Sequence, residues 1–293
     1  MLKRHPAALV VLALALAAVV VVGCGGSDAS VDEPAPGEPA ATGPDPGLQH
    51  IHGLGVSRDT LYLATHTGLW TAPAGQTEAR RFGSSRQDVM GFSIPEDGRF
   101  IGSGHPDPSQ TDLPPNLGLI ESRDGGRSWK NVSLVGEVDF HVLESAGRQI
   151  YGVNSADGAL MVSADAGRSW QRRTPPAGVF GLAIDPRSPQ RIVASTERGI
   201  VRSADAGKGW RPLRSDLAGL LAWAAPDRLY LIGGDGAVQL SPDGGSEWKA
   251  VGSIGGEPAA FIAHGDDLYA ALGDGTVKRS ADGRRSWTPR ATP

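Results

Sequence analysis

Histidines crowd one stretch of this chain: His50, His52, His66, His105 and His141, with His264 far downstream. Asp88, Asp107, Glu137 and Asp139 are interleaved with them. Neutral imidazole offers one directed lone pair to Zn, Cu or Ni, and a nearby acid offsets the ion's charge. His52, His66, His105 and His141 are therefore the candidate ligands of a divalent transition metal, Zn or Cu. His50, Asp107 and Asp139 join them as candidate ligand-binding residues. His50-x-His52 places two rings on one side of an extended strand, a common spacing that gains weight only if the others converge. The acids allow a second chemistry. Glycosidic cleavage needs two carboxylates across a cleft, and Asp88, Asp107 and Asp139 are the candidates for acid and base.

These residues meet only if the fold brings distant segments together, and the fold is written in a repeat. Ser-x-Asp-x-Gly-x-x-Trp occurs at Ser122–Trp129, Ser163–Trp170, Ser203–Trp210 and Ser241–Trp248. A degraded copy, Ser280–Trp287, has Arg284 in place of the glycine. The tryptophans recur about every 40 residues, the sign of stacked or circular supersecondary units. One period parses clearly. Val179–Ile184 alternates as a strand, and Asp185–Pro189 is turn chemistry. Arg191–Ser195 and Ile200–Ser203 are further strands around the turn Glu197–Gly199, and Trp210–Leu213 begins a short fourth. Four short antiparallel strands per period make a propeller blade. The template predicts an all-β, six-bladed β-propeller over residues 50–293, with blades at 50–83, 86–134, 138–175, 179–214, 219–252 and 257–291. The Ser and Asp of the motif bond the turn backbone and its Gly permits positive φ, so Asp124, Asp165, Asp205, Asp243 and Asp282 are structural.

In a propeller, the segments entering the first strand share a face with those leaving the second. His50 and His52 open blade one and His141 opens blade three, while His66 and His105 follow second strands. All five are expected on one face over adjacent blades, opposite the Asp turns. The run Ser93–Pro108, continuing through Ser109–Asn116, reads as the longest loop of the domain, and long loops on rigid scaffolds commonly carry function.

The N-terminus carries a different message. Lys3 and Arg4 precede the apolar run Ala7–Val22, too short for a membrane span of about 20 residues and suited to a signal peptide over 1–23. Val21-Val22-Gly23-Cys24 resembles the lipobox of bacterial lipoproteins, which implies cleavage before Cys24, its lipidation, and a place in the cell envelope, membrane-anchored and facing outside the cytoplasm. Cys24 is the sole cysteine, so the domain holds together without an internal disulfide. Residues 24–49, rich in Pro, Ala, Gly and acids, read as a disordered tether. The net charge of −4 is spread out, with no basic stripe or aromatic platform, and nucleic acid is excluded as a partner.

The repeated motif is similar to that of the Asp-box (BNR) propellers, which include sialidases, sortilin-like receptors and photosystem assembly factors. His50-Ile51-His52-Gly53-Leu54, Gly104-His105-Pro106-Asp107 and Asp139-Phe140-His141 resemble exported bacterial propellers labelled sialidase-like or glycosylhydrolase-like. The sialidase resemblance implies an Arg-Ile-Pro motif, an arginine triad and a Tyr–Glu nucleophile pair. Here Phe92-Ser93-Ile94-Pro95 puts Ser93 in the place of the arginine, and a serine cannot make a bidentate contact to a carboxylate. Tyr62, Tyr151, Tyr230 and Tyr269 all fall in second strands, as packing residues do. Sialidase activity is not expected. The leading expectation is an extracytoplasmic binding module whose ligand is a metal, a glycan or a protein. A glycoside hydrolase and an assembly factor for an exported complex are the alternatives.

Overall fold

The computed structural model describes residues 45–283 and 286–293. The signal peptide, Cys24 and most of the tether lie outside these residues, as does Arg284. The described chain is all β, arranged as six sheets of four antiparallel strands, each built from consecutive strands. Blade one is β1 (Ile51–Ser57), β2 (Thr60–Thr65), β3 (Gly68–Ala72) and β4 (Arg80–Arg81). Blade two is β5 (Asp88–Ser93), β6 (Phe100–His105), β7 (Leu119–Ser122) and β8 (Lys130–Ser133), and blade three is β9 (Phe140–Ala146), β10 (Gln149–Asn154), β11 (Leu160–Ser163) and β12 (Gln171–Arg173). Blade four comprises β13 (Val179–Asp185), β14 (Ser188–Thr196), β15 (Gly199–Ser203) and β16 (Arg211–Arg214). Blade five has β17 (Leu220–Ala225), β18 (Arg228–Ile232), β19 (Ala237–Ser241) and β20 (Lys249–Ser253). Blade six has β21 (Pro258–His264), β22 (Asp267–Leu272), β23 (Val277–Ser280) and β24 (Thr288–Ala291). The first strands contact one another around the axis, making this a six-bladed β-propeller.

The core lies between blades. Leu119, Phe140 and Ile150 join blades two and three, Tyr151, Leu160 and Leu182 join three and four, and Ile51, Leu61 and Tyr269 close the ring between one and six. Each motif tryptophan packs against residues of the preceding blade as well as its own: Trp129 beside Leu69, Trp170 beside Ile101, Trp210 beside Tyr151. The tryptophan thus works as an inter-blade wedge.

The Asp turns explain their own composition. Ser122 Oγ donates to Asp124 Oδ1 at 2.7 Å and accepts from Gly126 N at 2.8 Å, while Ser128 N donates to Asp124 Oδ1 at 2.9 Å. The serine–glycine bond is again 2.8 Å in the next three copies. Hydrogen bonds from Ser128, then Ser122, hold the Asp124 carboxyl far below the usual carboxylate range, so it stores no proton for catalysis. Gly167 has φ +87°, and a Cβ there would stand 2.1 Å from Leu119 of the blade before. The turn needs glycine for both its backbone and its neighbour.

Three segments differ from expectation. In blade four the turn shrinks to Pro186–Arg187, because buried Asp185 accepts from Arg187 N and pairs with Arg191, pulling β14 back to Ser188. The long loop starts later than expected, since Phe100–His105 forms strand β6 with its residues buried up to Gly104. Residues 45–49, expected within the tether, lie on blade one: Asp45 pairs with Arg81, Thr67 Oγ1 donates to Gly47 O at 2.7 Å, and Leu48 packs on the core.

Among the described residues the ring closes without exchanging a strand. Thr292 N donates to Thr77 O at 2.7 Å, Ala79 N donates to Thr292 O at 2.8 Å, and Arg290 donates to Ala72 O at 2.7 Å.

Candidate metal centre at the channel mouth

Backbone irregularity aims the site. In the first strands of blades one, three, four and six the pairing with the second strand slips by one residue near the start. The residues left opposite no partner are His52, His141, Phe180 and Ala259. A bulge turns a side chain out of the ordinary alternation, and these four side chains line one small cavity at the axial mouth.

His52 and His66 meet there. Their Nε2 atoms are 3.2 Å apart, and His66 Nδ1 lies 2.9 Å from Asp88 Oδ2. Asp88, at the start of β5, therefore accepts a hydrogen bond from His66 Nδ1–H and leaves the Nε2 lone pair facing His52. Two nitrogens on one Zn at about 2.0–2.1 Å and near-tetrahedral angles stand roughly 3.3 Å apart, close to this separation. His50, its ring exposed, stands beside the pair. Its backbone has φ 39°, and its ring centre lies 5.3 Å from that of His66 and 6.3 Å from that of His52. Three imidazoles on one ion place their centres roughly 5 Å apart. Burial, then the neighbouring His66, pushes His52 down to about 4, against the pull of Asp88, and keeps it neutral as a metal ligand must be. Asp88 Oδ1 is buried without a hydrogen-bond partner among the described residues. His52, His66 and Asp88 are the one group of three such residues among the described residues whose ligand atoms all lie within 4.8 Å of one another.

The four histidines expected as ligands thus separate into two groups. His141 Nε2 lies 2.7 Å from Asp139 Oδ2, and His105 Nε2 lies 3.8 Å from the same oxygen. Asp139 is buried, its Oδ2 also accepts from Ser155 Oγ at 3.0 Å, and its Oδ1 has no partner. Burial acts to raise its pKa, but the bonds and charge from His141 and Ser155 win and lower it. The hydrogen bond to Asp139 raises His141. A buried carboxylate on blade three holds both rings, and its three-dimensional placement is not written in residue spacing. His105 is further committed through Nδ1, 2.8 Å from Pro115 O.

The remaining candidates are placed less centrally. Asp107 accepts from Arg86 N at 2.5 Å, Ser109 N at 2.9 Å and Ser109 Oγ at 2.7 Å, so its carboxylate organises its own loop. Glu137 is exposed, and His264 lies at the far end of β21. Two residues escaped sequence reasoning. Phe180 is 49% exposed at the mouth, and its place just before Gly181 matches that of His52 before Gly53. Ser155 follows β10 directly, as His66 follows β2.

Fold and site together define the class: a six-bladed β-propeller with a histidine-rich axial mouth. Solved structures share that fold. A chain of the nidogen/laminin complex superposes with a TM-score of 0.63 at 14% identity, covering 80% of this chain and 93% of that one. YCF48 from Cyanidioschyzon merolae gives 0.50 at 17%, covering 84% and 86%. An ancestral GH74 enzyme gives 0.53 at 14%, with 80% of this chain matching 35% of that chain. These identities speak for the fold alone. No family model matches the chain, and no curated protein does either.

Proposed function

We propose that this chain is a metal-dependent binding module, anchored in the cell envelope through Cys24 and facing outside the cytoplasm. His52 and His66 would hold a Zn or Cu ion through Nε2, His50 would complete the set, and Asp88 would orient His66. The observation that carries the reading is the pair of Nε2 atoms 3.2 Å apart, one of them fixed from behind by a carboxylate. Three imidazoles leave at least one coordination position for an outside donor, and the mouth beside Phe180 is where a glycan or protein partner would supply it. Calorimetric titration of the purified full chain with Zn²⁺ and Cu²⁺ tests this. The expected result is binding at micromolar concentrations or tighter, about a hundredfold weaker in His66→Ala. Equal affinity in that variant, or no binding in the parent, would sink the reading. Anchoring is checked separately: palmitate labelling should reach the parent chain and fail with Cys24→Ser, and labelling of that variant would refute it.

One observation favours a second reading, hydrolysis. His141 is half-exposed and held by buried Asp139, the arrangement of an oriented general base. Turnover of aryl glycosides that disappears in His141→Ala would support it, and inactivity of the parent chain would count against it. The Asp88, Asp107 and Asp139 carboxylates each already hold a histidine or their own loop, so an acid–base pair of carboxylates is the less supported form.

A further inference from the structure

A second cavity lies on the propeller axis, independent of the histidines at the mouth. Its volume is about 350 Å³, and it opens among the turns that join first to second strands, on the face of the Asp turns. Backbone bonds from Ala166 N to Arg148 O, in such a turn, and from Ala206 N to Gln190 O, near the start of β14, tie the Asp turns to that face.

Strand register identifies a ring of equivalent positions in this cavity. Gly55, Ser93, Glu144, Ala183, Ala222 and Ile262 sit opposite Tyr62, Ile101, Tyr151, Val193, Tyr230 and Tyr269 of the second strands. All six line the cavity. Five are small or apolar or a single hydroxyl, and one is an acid. Glu144 also lines the smaller cavity at the mouth, so it marks the passage between the two. Among the described residues, no lysine or arginine lines either cavity. Among the described residues Glu144 has no hydrogen bond or ion pair, and the Ser93 and Ser145 hydroxyls beside it bond each other at 2.9 Å.

Burial alone pushes the Glu144 carboxyl up to about 8, which favours its neutral form, while the side chain stays partly open to the cavity. A cation held beside it, against Leu54, Leu221 and Phe261, would favour the charged form again. A transition metal is a poor candidate, because among the described residues Glu144 belongs to no group of three acids or imidazoles whose ligand atoms converge. A cation with an apolar arm fits better: the carboxylate meets the charge, the aliphatic wall takes the arm, and the aromatic rings of Phe261 and Trp223 attract an ammonium. The volume falls in the range of small-molecule sites, about 300–1,000 Å³.

We infer that the axial cavity binds a small organic ammonium ion, with Glu144 as its counter-ion. The source is a free amine or the ammonium of a lysine side chain presented at the open end. Other ionisable groups lining the cavity are Glu96 and His264, both exposed at its rim.

The test is calorimetric titration of the full chain with n-hexylammonium, and with 1-hexanol as its uncharged counterpart. The amine should bind and the alcohol should bind at least about tenfold more weakly. Glu144→Gln should lose about tenfold or more in amine affinity while binding Zn²⁺ like the parent. Ala183→Leu, which fills the cavity and keeps the acid, should lose amine binding too, and serves if the glutamine variant fails to fold. Equal binding of amine and alcohol, unchanged amine affinity in either variant, or no binding of the amine up to about 10 mM would overturn the proposal. N-acetyl-lysine methyl ester set beside the free amine separates the two sources: tighter binding of the ester points to a presented side chain.

Discussion

Blades one and four are the same object with different chemistry. In both, Thr at the end of the second strand donates to the carbonyl of a glycine three residues on, at 2.8 Å, closing an identical turn. Blade one fills the next position with His66 and blade four with Glu197. The bulge in the first strand presents His52 in one blade and Phe180 in the other. The backbone programme is therefore indifferent to function. Two substitutable positions per blade, the bulge and the residue after the second strand, decide what the mouth can do.

The largest expected effect breaks this contrast outright. His52→Ala with His66→Ala should lower Zn²⁺ affinity at least about a thousandfold, whereas Glu197→Ala, at the equivalent turn, should leave it unchanged; isothermal titration of both proteins checks the pair. Next comes the backbone that delivers Asp88. Gly104 has φ +139°, and a Cβ there would lie 2.2 Å from Asp88 O. Gly104→Ala should cost about 2–3 kcal/mol in urea unfolding and weaken metal binding as well. Gly98→Ala, also at positive φ but facing open space, should cost about 1 kcal/mol and spare the metal. Asp88→Asn keeps the shape but removes the charge behind His66, for a loss of about tenfold to a hundredfold in affinity.

The smallest effect concerns pH. His141 is raised above 6.5, so its share of stability is present below pH 6.5 and fades as pH rises through its folded value. Asp139 is lowered below 3.8, so its share is present above pH 3.8 and fades as pH falls through its folded value. NMR titration should place His141 above 6.5, and Asp139→Asn should bring it down. The half-exposed ring keeps the stability change small.

The fold was legible because its signal is repeated. Each Asp turn marks the join of third and fourth strands, and the face of the histidines follows from strand count alone. The partition of the site was not legible. His141 and His52 occupy equivalent bulges, yet one turns to Asp139 and the other to His66, and only the three-dimensional placement of a buried carboxylate separates them. The docking of residues 45–49 was hidden for a related reason: Leu48 and Asp45 gain partners only once blade one exists to receive them. Glu144 reads as an ordinary strand acid until register shows it standing alone on the axis.

The closure of the ring has a consequence for the order in which the molecule assembles. Arg290 and Ala72, which it joins, are 218 residues apart, whereas His52 and His66 are separated by 14 and His66 and Asp88 by 22. Loop entropy is paid before distant contacts return anything, so the seam between the last blade and the first is the late event in folding. The histidine cluster needs only the first blade and the start of the second. On a chain emerging from its N-terminus, the histidine cluster can form while the later blades are still to come.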